Sequence, residues 1–411
     1  MKFKCLYEDI HKAIMSISKV NTKSNIFPII ELIHIEACDN IVTFRATNLE
    51  IVLETTINAR VEIKGKIVIN YTNLSKIINI IKSDSFEIEL IDNILEINSI
   101  LDNNKGKINK SKIKLQTAIY EDIPMLPVIN IENSETLNLN REVFISAIRQ
   151  VIFAVANTDI KPEISSVFIY NKDQYLYTVA TDTFRLAENR IDLSQVNLNN
   201  YNNDTENNKN VLNDNGINIL IPGKNMAIIL PILDNMSGET IEISKYEDGI
   251  MINNQNTYIA VRTISGNFPD YVQLFPKEYT EVISIDKSEL VANLNATVLF
   301  KDNYSYSNIK LDNDSIYIKT NNSKIGSYES EILIQNILTS NTNTDNNKEE
   351  NTESYIDIRI EADYNSSLLL EGLSKMESNR IIISFTTAAK PIFIKSENNN
   401  NFVYVLMSLR R

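Results

Sequence analysis

Apolar residues recur along the chain in two patterns, and the two patterns follow one another in a fixed order. Near the N-terminus Phe3 and Cys5 alternate with polar residues, which predicts a short strand. Directly afterwards Ile10, Ile14 and Ile17 stand at helical spacing. The opening segment is therefore predicted to be a strand followed by an amphipathic helix.

The same order begins twice more. Leu137 opens a second alternating run that leads into a helical face with Ile148, and Ile283 opens a third that leads into a face with Leu290. Ile148 follows Ile14 by 134 positions, close to one third of the chain. Three such starts at roughly even spacing predict a threefold internal repeat.

A recurring turn supports the repeat. The sequence reads VTFRATNLE around Thr47, TVATDTFRLA around Thr181 and IYIKTNNS around Thr320. Each is an alternating run predicted to end as a strand at Thr, followed by Asn or Asp, residue types that favour turns. Thr181 follows Thr47 by 134 positions, the spacing that separates the helices.

Each repeat also contains a second helical pattern, in residues 70–81, 222–233 and 365–376. Strands that alternate in period two and occur beside helices indicate an α+β fold. We expect three domains, at residues 1–130, 131–274 and 275–411. Two Asn-rich tracts, about 196–216 and 340–354, have little apolar surface and are predicted to be inserted surface loops.

Composition narrows the class of protein. No apolar run approaches the ~18 residues of a membrane span, and the first residues lack the apolar core of a signal peptide, so we expect a cytoplasmic protein without a membrane partner. Cys5 and Cys38 are expected to be reduced thiols, and two histidines cannot form a multi-histidine metal site. The net charge of −13 argues against a nucleic-acid partner unless the basic residues are gathered on one surface.

Signals for catalysis are sparse. The segment PGKN at residues 222–225 lacks the glycine and the hydroxyl residue of a phosphate-binding loop, and neither a GxGxxG nor a GxSxG motif is present. Asp182 and Arg185 lie three positions apart at the repeated turn, where a local ion pair or a turn contact is the simpler interpretation. We therefore expect a binding protein without enzymatic activity, cofactor or metal.

Three segments carry a family resemblance: TVATDTFRLA from Thr178, SGNFPDYVQLFPKE from Ser265 and FVYVLMSLRR from Phe402. In this order and spacing they resemble the bacterial DNA polymerase III β subunit, the β sliding clamp. The resemblance implies three clamp domains, each with two helices and antiparallel sheets, closed into a ring as a head-to-tail homodimer around duplex DNA. It also implies a processivity factor whose partners are the polymerase III catalytic subunit, the clamp loader and other proteins with a clamp-binding peptide motif.

In this family, partner peptides insert into a pocket on the second and third domains. By resemblance its walls are Ile164, Thr181, Thr183, Phe184, Arg185, Leu186, Pro269, Leu274, Tyr306, Asn365, Leu368, Val405, Leu406, Met407 and Leu409. The sequence departs from the common family pattern at four places: Thr183-Phe184 replaces Gly-His, Gln273 replaces Arg, Leu368 replaces Tyr and Ser408 replaces Pro. These departures leave the shape and peptide preference of the pocket open.

The resemblance also assigns basic residues on or beside the helices to the surface that faces DNA. They are Lys12, Lys19, Lys23, Lys76, Lys82, Arg141, Arg149, Lys224, Lys287, Lys375 and Arg380. Lys23 is the weaker candidate because Ser24 stands where the family often has Arg.

The dimer contact implied by the resemblance joins the end of the first domain to the start of the third domain of the partner. Its candidate residues are Ile77, Ile81, Ile113, Leu115, Leu299 and Phe300. Two alternatives stay open from the sequence: an enzyme on a repeated α+β scaffold with Asp182 and Arg185 in its site, and a monomeric peptide-binding scaffold.

Overall fold

The architecture is taken from a computed structural model of the 411-residue chain. It describes residues 1–21, 28–81, 83–103, 107–118, 136–158, 160–195, 217–246, 248–300, 306–312, 314–334, 336–337, 359–387 and 390–409. Both Asn-rich tracts lie outside these residues, as do Lys23 and Lys82. No helix within the described ranges is long and apolar enough to cross a membrane.

Six α-helices occur in these ranges, two for each repeat. They are α1 Tyr7–Val20, α2 Tyr71–Ile80, α3 Arg141–Val151, α4 Gly223–Asn235, α5 Lys287–Leu299 and α6 Ser366–Leu373. The predicted helical faces are confirmed: Ile14, Ile148 and Leu290 are each at most 1% exposed. Asn70, Asp286 and Asn365 cap α2, α5 and α6 with their side-chain oxygens, which satisfies backbone N–H groups that would otherwise have no partner.

The strands account for most of the remaining described residues. In chain order they are β1 Lys2–Leu6, β2 Leu32–Cys38, β3 Ile41–Thr47, β4 Ile51–Asn58, β5 Arg60–Ile63, β6 Gly65–Asn70, β7 Ser85–Ile91, β8 Ile94–Asn103, β9 Lys107–Gln116, β10 Thr136–Asn140, β11 Ser166–Lys172, β12 Tyr175–Thr181, β13 Arg185–Asp192, β14 Asn218–Pro222, β15 Thr240–Tyr246, β16 Gly249–Asn253, β17 Thr257–Arg262, β18 Glu281–Asp286, β19 Tyr306–Asp312, β20 Ser315–Asn322, β21 Gly326–Leu333, β22 Asn336–Ile337, β23 Arg359–Asn365, β24 Arg380–Phe385, β25 Ile392–Ser396 and β26 Asn399–Leu406.

The chain forms two compact units. Unit 1 comprises Met1–Ile145 and Leu193–Ser265, and unit 2 comprises Ser146–Asp192 and Gly266–Arg411. Neither unit coincides with one repeat, because the second repeat contributes strands to both. Sheets that continue from one repeat into the next account for this division.

Unit 1 contains two antiparallel sheets. The first has the order β5-β1-β7-β8-β9, and the second has the order β10-β15-β16-β17-β4-β3-β2-β6. The second sheet joins two repeats where β17 pairs with β4, with Ile259 opposite Leu53 and both side chains fully buried. Helix α1 contacts β3, β4, α2 and α4, and its buried isoleucines each stabilise the core by roughly 1.5–3 kcal/mol.

Unit 2 repeats this arrangement. Its larger sheet runs β11-β12-β13-β26-β25-β24-β18-β22, and its smaller sheet runs β21-β20-β19-β23. The larger sheet joins the second and third repeats where β13 pairs with β26, with Leu186 opposite Val405. Helices α5 and α6 contact one another in this unit.

The predicted turns differ in one detail. Strands β3 and β12 end at Thr47 and Thr181 as predicted, but β20 continues past Thr320 to Asn322, so the third prediction is wrong by two residues. The reason is that β20 and β21 stay paired as far as Asn322 and Gly326, where Gly326 adopts a φ of +130° that favours glycine.

Candidate peptide-binding and nucleic-acid interfaces

The turn between β12 and β13 is built by the side chains of its own first two residues. The Thr181 hydroxyl donates to the Arg185 carbonyl at 2.6 Å and accepts from the Thr183 N–H at 3.2 Å. The Asp182 Oδ1 accepts from the N–H groups of Phe184 and Arg185 at 3.0 and 2.9 Å. These bonds hold Thr183 at a φ of +76° and present Phe184 to solvent, with 57% of its surface exposed.

The equivalent turn of the first repeat is built identically. The Thr47 hydroxyl donates to the Ile51 carbonyl and accepts from the Leu49 N–H, and Asn48 takes the place of Asp182. Leu49 has a φ of +77°. Threonine followed by Asn or Asp is therefore a structural signature, so Asp182 does not need a catalytic role to explain its presence.

Arg185 distinguishes the second turn from the first. Its guanidinium donates to Asp182 at 2.9 Å, to Glu371 of α6 at 2.5 Å and to the Phe153 carbonyl at 2.9 Å. The guanidinium carbon also lies 5.1 Å from the centre of the Phe153 ring. Because Arg185 is only 9% exposed, it ties the turn to α6 rather than forming an open wall for a ligand.

Two apolar predicted residues, Leu186 of β13 and Val405 of β26, lie on the face of the sheet opposite to Arg185. Leu186 and Val405 form a buried cluster with Val179, Tyr271 and Phe393, and Leu274 packs against it. Residues directly opposite in antiparallel strands share a face, so the pairing of Leu186 with Val405 produces this cluster. Leu186 is only 2% exposed. The accessible part of this face is therefore formed by the partly buried residues that pack against the cluster, such as Leu274 of the connector before β18.

The end of β26 reaches the turn and the smaller sheet. The Met407 N–H donates to the Phe184 carbonyl at 2.9 Å, and the Leu409 N–H donates to the Asp363 carbonyl at 2.8 Å. Leu406 lies opposite Arg185 and is buried, whereas Met407 and Leu409 are half-buried. Thirteen predicted pocket residues are thus linked through the turn, β26 and α6, with the half-buried and exposed ones available to a ligand.

Helix α6 supplies the last part of this region. Asn365 lies opposite Tyr306 in the pairing of β23 with β19, and its side chain accepts from the Leu368 N–H at 3.1 Å. The Tyr404 hydroxyl donates to the Leu368 carbonyl at 2.7 Å. Tyr306 is 38% exposed, and Leu368 is half-buried.

The two remaining predicted pocket residues belong to segments outside β12, β13, β26 and α6. Ile164 is 7% exposed, and its carbonyl accepts from the Ala156 N–H. Pro269 is exposed in the connector that precedes β18.

A threefold backbone contact relates the two helices of every repeat. The first residue of α1, α3 and α5 donates its N–H to a carbonyl beyond the end of α2, α4 and α6: Tyr7 to Asp84, Arg141 to Glu239 and Lys287 to Asn379. The three distances are 3.1, 2.8 and 2.8 Å. This contact is a structural counterpart of the repeat seen in the sequence.

All three parts of the chain match one family. Models for the N-terminal, central and C-terminal domains of the DNA polymerase III beta subunit match residues 1–127, 138–270 and 272–410. The chain belongs to the DNA polymerase III β-subunit family.

Relatives in this family span the whole chain. The Beta sliding clamp of Bacillus subtilis is 24% identical over 100% of both chains, and that of Staphylococcus aureus is 22% identical over 93% of this chain and 92% of the relative. The solved structure of the Bacillus subtilis sliding clamp superposes with a TM-score of 0.82 at 22% identity, covering 100% of this chain and 99% of the other. The β subunit from Streptococcus pyogenes gives 0.83 at 18% identity, with 100% of both chains covered.

Within this family fold, the predicted DNA-facing residues fall into two groups. Five are exposed on or beside helices, and these are Lys12, Lys19, Lys76, Arg149 and Lys224. Four others among the described residues are half-buried: Arg141, Lys287, Lys375 and Arg380. Arg141 donates to the Met236 carbonyl after α4, and Lys287 donates to the Met376 carbonyl after α6 at 2.6 Å.

Arg141 and Lys287 therefore brace the helix pair of their repeat, in addition to the backbone contact described above. Lys375 lies 5.6 Å from the centre of the Phe153 ring, and Arg380 is half-buried at the start of β24. The sequence pattern did not distinguish such bracing cations from exposed ones, because both stand on polar helix positions.

The predicted dimer residues lie at edges of the family fold. Ile113 and Leu115 are in β9, an end strand of the first sheet in unit 1, while Ile77 and Ile81 are half-buried at the end of α2. In unit 2, Leu299 is 73% exposed at the end of α5. Phe300 stacks on Tyr328 of β21, which is an end strand of the smaller sheet, at 6.2 Å between ring centres.

Sequence reasoning missed several residues of these sites. Glu371, Phe153 and Tyr271 all contact predicted pocket residues, and Ile80 is a further apolar side chain on α2 that is 77% exposed. Tyr271 belongs to the quoted segment SGNFPDYVQLFPKE, so the resemblance contained a signal for it. Glu371 had none, because it is 186 positions from Arg185.

No group of three or more His, Cys, Asp and Glu side chains in the described ranges is arranged to hold a metal ion. Cys5 and Cys38 are free thiols, and burial raises the pKa of Cys5 to about 12. Cys5 is therefore protonated at neutral pH and is a poor nucleophile.

Proposed function

We propose that this chain is a DNA sliding clamp that closes into a ring as a head-to-tail homodimer around duplex DNA. The observation that carries the proposal is the match of all three clamp domains along the chain, together with the threefold contact between its helix pairs. A closed ring holds a polymerase on its template by topology, so no covalent step is required of the clamp itself.

The exposed cations on the helices supply the attraction to DNA. Duplex DNA carries about one negative charge per 1.7 Å, and contacts to its backbone carry no sequence information. The net charge of −13 is compatible with this role if the acidic residues are concentrated away from the DNA-facing helices. Weak, sequence-independent contacts suit a clamp that has to move along the duplex.

The region around the β12–β13 turn is the proposed peptide-binding pocket. Phe184, Met407, Leu368 and Leu274 offer partly accessible apolar surface around a rigid turn, and methionine adapts to different ligand shapes. We propose that polymerase, clamp loader and other replication or repair proteins of the cytoplasm bind here in exchange. Phe184 and Leu368 replace residues common in the family, and therefore set the peptide preference.

Charges support a dimer in which β9 of one chain meets β21 of the other. Strand β9 carries the exposed Lys112 and Lys114, which both pair with Glu96 of β8, and β21 carries the exposed Glu329 and Glu331, of which Glu329 pairs with Lys319 of β20. Both strands are at the end of their sheets, where unpaired backbone groups are available for an added strand. In a closed head-to-tail ring of two chains, the pairing of β9 with β21 occurs twice, so both end strands of each chain gain a partner.

The enzyme alternative has less support than the clamp. Both Asp182 oxygens accept hydrogen bonds from the turn and from Arg185, so neither is positioned as a base towards an open site.

The second alternative, a monomeric scaffold, differs from the clamp in the mass of the particle in solution. Sedimentation of the full chain at micromolar concentration is expected to give twice the 46.9 kDa of one chain, and a species of one chain would contradict the ring.

A further inference from the structure

A cleft of about 510 Å³ opens on the sheet of unit 2, beside the proposed peptide pocket. It is lined by Glu188, Arg190, Phe275, Tyr279, Val282, Ile382, Ser384, Phe393, Ile394, Lys395, Asn400 and Val403. None of the residues predicted for the peptide pocket is among them. The cleft is therefore a separate feature of the same sheet, between its strands and the connector that precedes β18.

Aromatic rings form one wall of the cleft. Phe393 lies 5.3 Å from Phe275 and 5.4 Å from Tyr279, measured between ring centres, and is itself 3% exposed. Both connector rings are half-buried, so each keeps part of its surface towards the cleft. An apolar wall of this kind favours a bulky aliphatic or aromatic group.

The neighbouring strands continue the surface on which Phe393 lies. Lys395 of β25 lies opposite Ile382 of β24 and Val403 of β26, so the three side chains share one face of the sheet. Each is partly exposed. The aliphatic side chains extend the apolar surface, and Lys395 places an ammonium group at its margin.

Positive charge predominates among the ionisable side chains of this cleft. Arg190 lies with its guanidinium carbon 5.2 Å from the centre of the Tyr175 ring, and its buried Nε has no hydrogen-bond partner in the described structure. Lys395 makes no ion pair with the described residues. Glu188 is the acidic member, and burial raises the pKa of its carboxyl.

We propose that this cleft is a second docking site, which takes a segment of a partner protein that presents a bulky apolar side chain next to a carboxylate. The apolar side chain fills the space between Phe393, Phe275 and Val403. The carboxylate pairs with Lys395 and with the guanidinium of Arg190, the two cations that line the cleft. The site goes beyond the clamp function and does not depend on it.

The test uses three small probes of similar size that carry the same phenyl group and end in an anionic, a neutral or a cationic group: 3-phenylpropionate, its amide and 3-phenylpropylamine. We expect the full-length protein to bind the propionate at least about tenfold more tightly than the amide in calorimetric titration, because only the propionate satisfies both cations. Equal affinity for propionate and amide, or a preference for the amine, would overturn the proposal.

Variants locate the binding. Lys395→Gln is expected to lower propionate affinity towards that of the amide, since Arg190 remains, and Val282→Trp is expected to remove binding of both by filling the cleft. The matched control is Lys319→Gln, which removes an exposed lysine of β20 outside the cleft and is expected to change nothing. Unchanged propionate affinity in Lys395→Gln contradicts the assignment even if the tryptophan variant fails to fold. Retention on circular DNA, measured on the same Lys395→Gln protein, reports separately on the clamp function.

Discussion

At the scale of single residues, Arg185 is the group on which the proposed pocket depends. One guanidinium holds Asp182 of the turn, Glu371 of α6 and the Phe153 carbonyl together. A lysine at this position has a single ammonium and no planar fork, so it cannot make these contacts with the same geometry. The pocket is thus shaped by a buried side chain that a ligand hardly touches.

Glu188 gives a prediction on pH dependence. Burial raises its pKa above the ordinary value of 4.5, so the folded protein holds the proton at pH values where the unfolded chain has lost it. Stability contributed by this group therefore falls as pH rises from about 4.5 through the folded pKa. We expect Glu188→Gln to raise the free energy of unfolding more at pH 7 than at pH 4.5, because the buried amide carries no charge at either pH.

Urea denaturation at a series of pH values measures this effect. Glu142→Gln is the matched control, since Glu142 is exposed in the first turn of α3. A wild-type and a Glu188→Gln curve that stay parallel across pH would show that Glu188 carries no such penalty.

Single residues also show how far the sequence could predict the site. The turn at Thr181 was predictable because its hydrogen bonds join residues at most four positions apart. The bracing role of Arg141 was not, since its partner Met236 is 95 positions away and both exposed and bracing cations occupy polar positions of a helix. Local pattern indicates the residue type that a position needs, and long-range packing decides its contacts.

At the scale of elements, α6 and β26 are in close contact through Gly372. A Cβ atom at this position would overlap the ring of Tyr404, whose hydroxyl bonds to the same helix at Leu368. The glycine is therefore required by the approach of helix and strand, at a helix interior position where it otherwise costs stability.

Gly372→Ala is expected to lower the free energy of unfolding by about 1–3 kcal/mol, because the added methyl overpacks the contact. Denaturation in urea measures the loss. In a Tyr404→Leu background, Gly372→Ala should lower the free energy of unfolding by less than it does in the wild-type protein, because the ring that the methyl group would meet is absent. If Gly372→Ala unfolds at the wild-type urea concentration, the close contact is wrong.

The end of β26 gives a prediction for the peptide pocket. Met407→Asp places a charge on its half-buried apolar surface, and we expect at least about a tenfold loss of affinity for a peptide copied from the clamp-binding motif of a polymerase III catalytic subunit. Fluorescence anisotropy of the labelled peptide measures it. Ile160→Asp is the control, because Ile160 is 87% exposed and outside the pocket. Equal losses in both variants would place the pocket elsewhere.

Elements were predicted better than their assembly. Helical spacing of apolar residues predicted all six helices, because the residues on the buried face of a helix recur at its own period along the sequence. The division into two units was not predictable in this way. It depends on β17 pairing with β4 and β13 with β26, across separations that no local pattern encodes.

At the scale of the whole molecule, the dimer contact is the first feature to test. Reversing Lys112 and Lys114 to Glu is expected to raise the dimer dissociation constant at least about tenfold, because like charges would face Glu329 and Glu331 of the partner. Adding Glu329→Lys and Glu331→Lys should restore the dimer. Sedimentation measures both.

The control for this charge reversal is the double variant Lys64→Glu with Lys66→Glu, which makes the same change of charge at the start of β6 and in the residue before it. Equal weakening by both double variants would show a general effect of charge, and failure of the second pair to restore the dimer would exclude the pairing of β9 with β21.

The central claim is that a closed ring surrounds DNA, and the most direct measurement is retention on circular against linear duplex. The protein is loaded by a clamp loader onto a nicked circular plasmid, and the DNA-bound fraction is separated by gel filtration before and after a single restriction cut. The account predicts that the protein stays on the circle and is lost after the cut, because only topology holds it. Equal retention on both forms would contradict the ring.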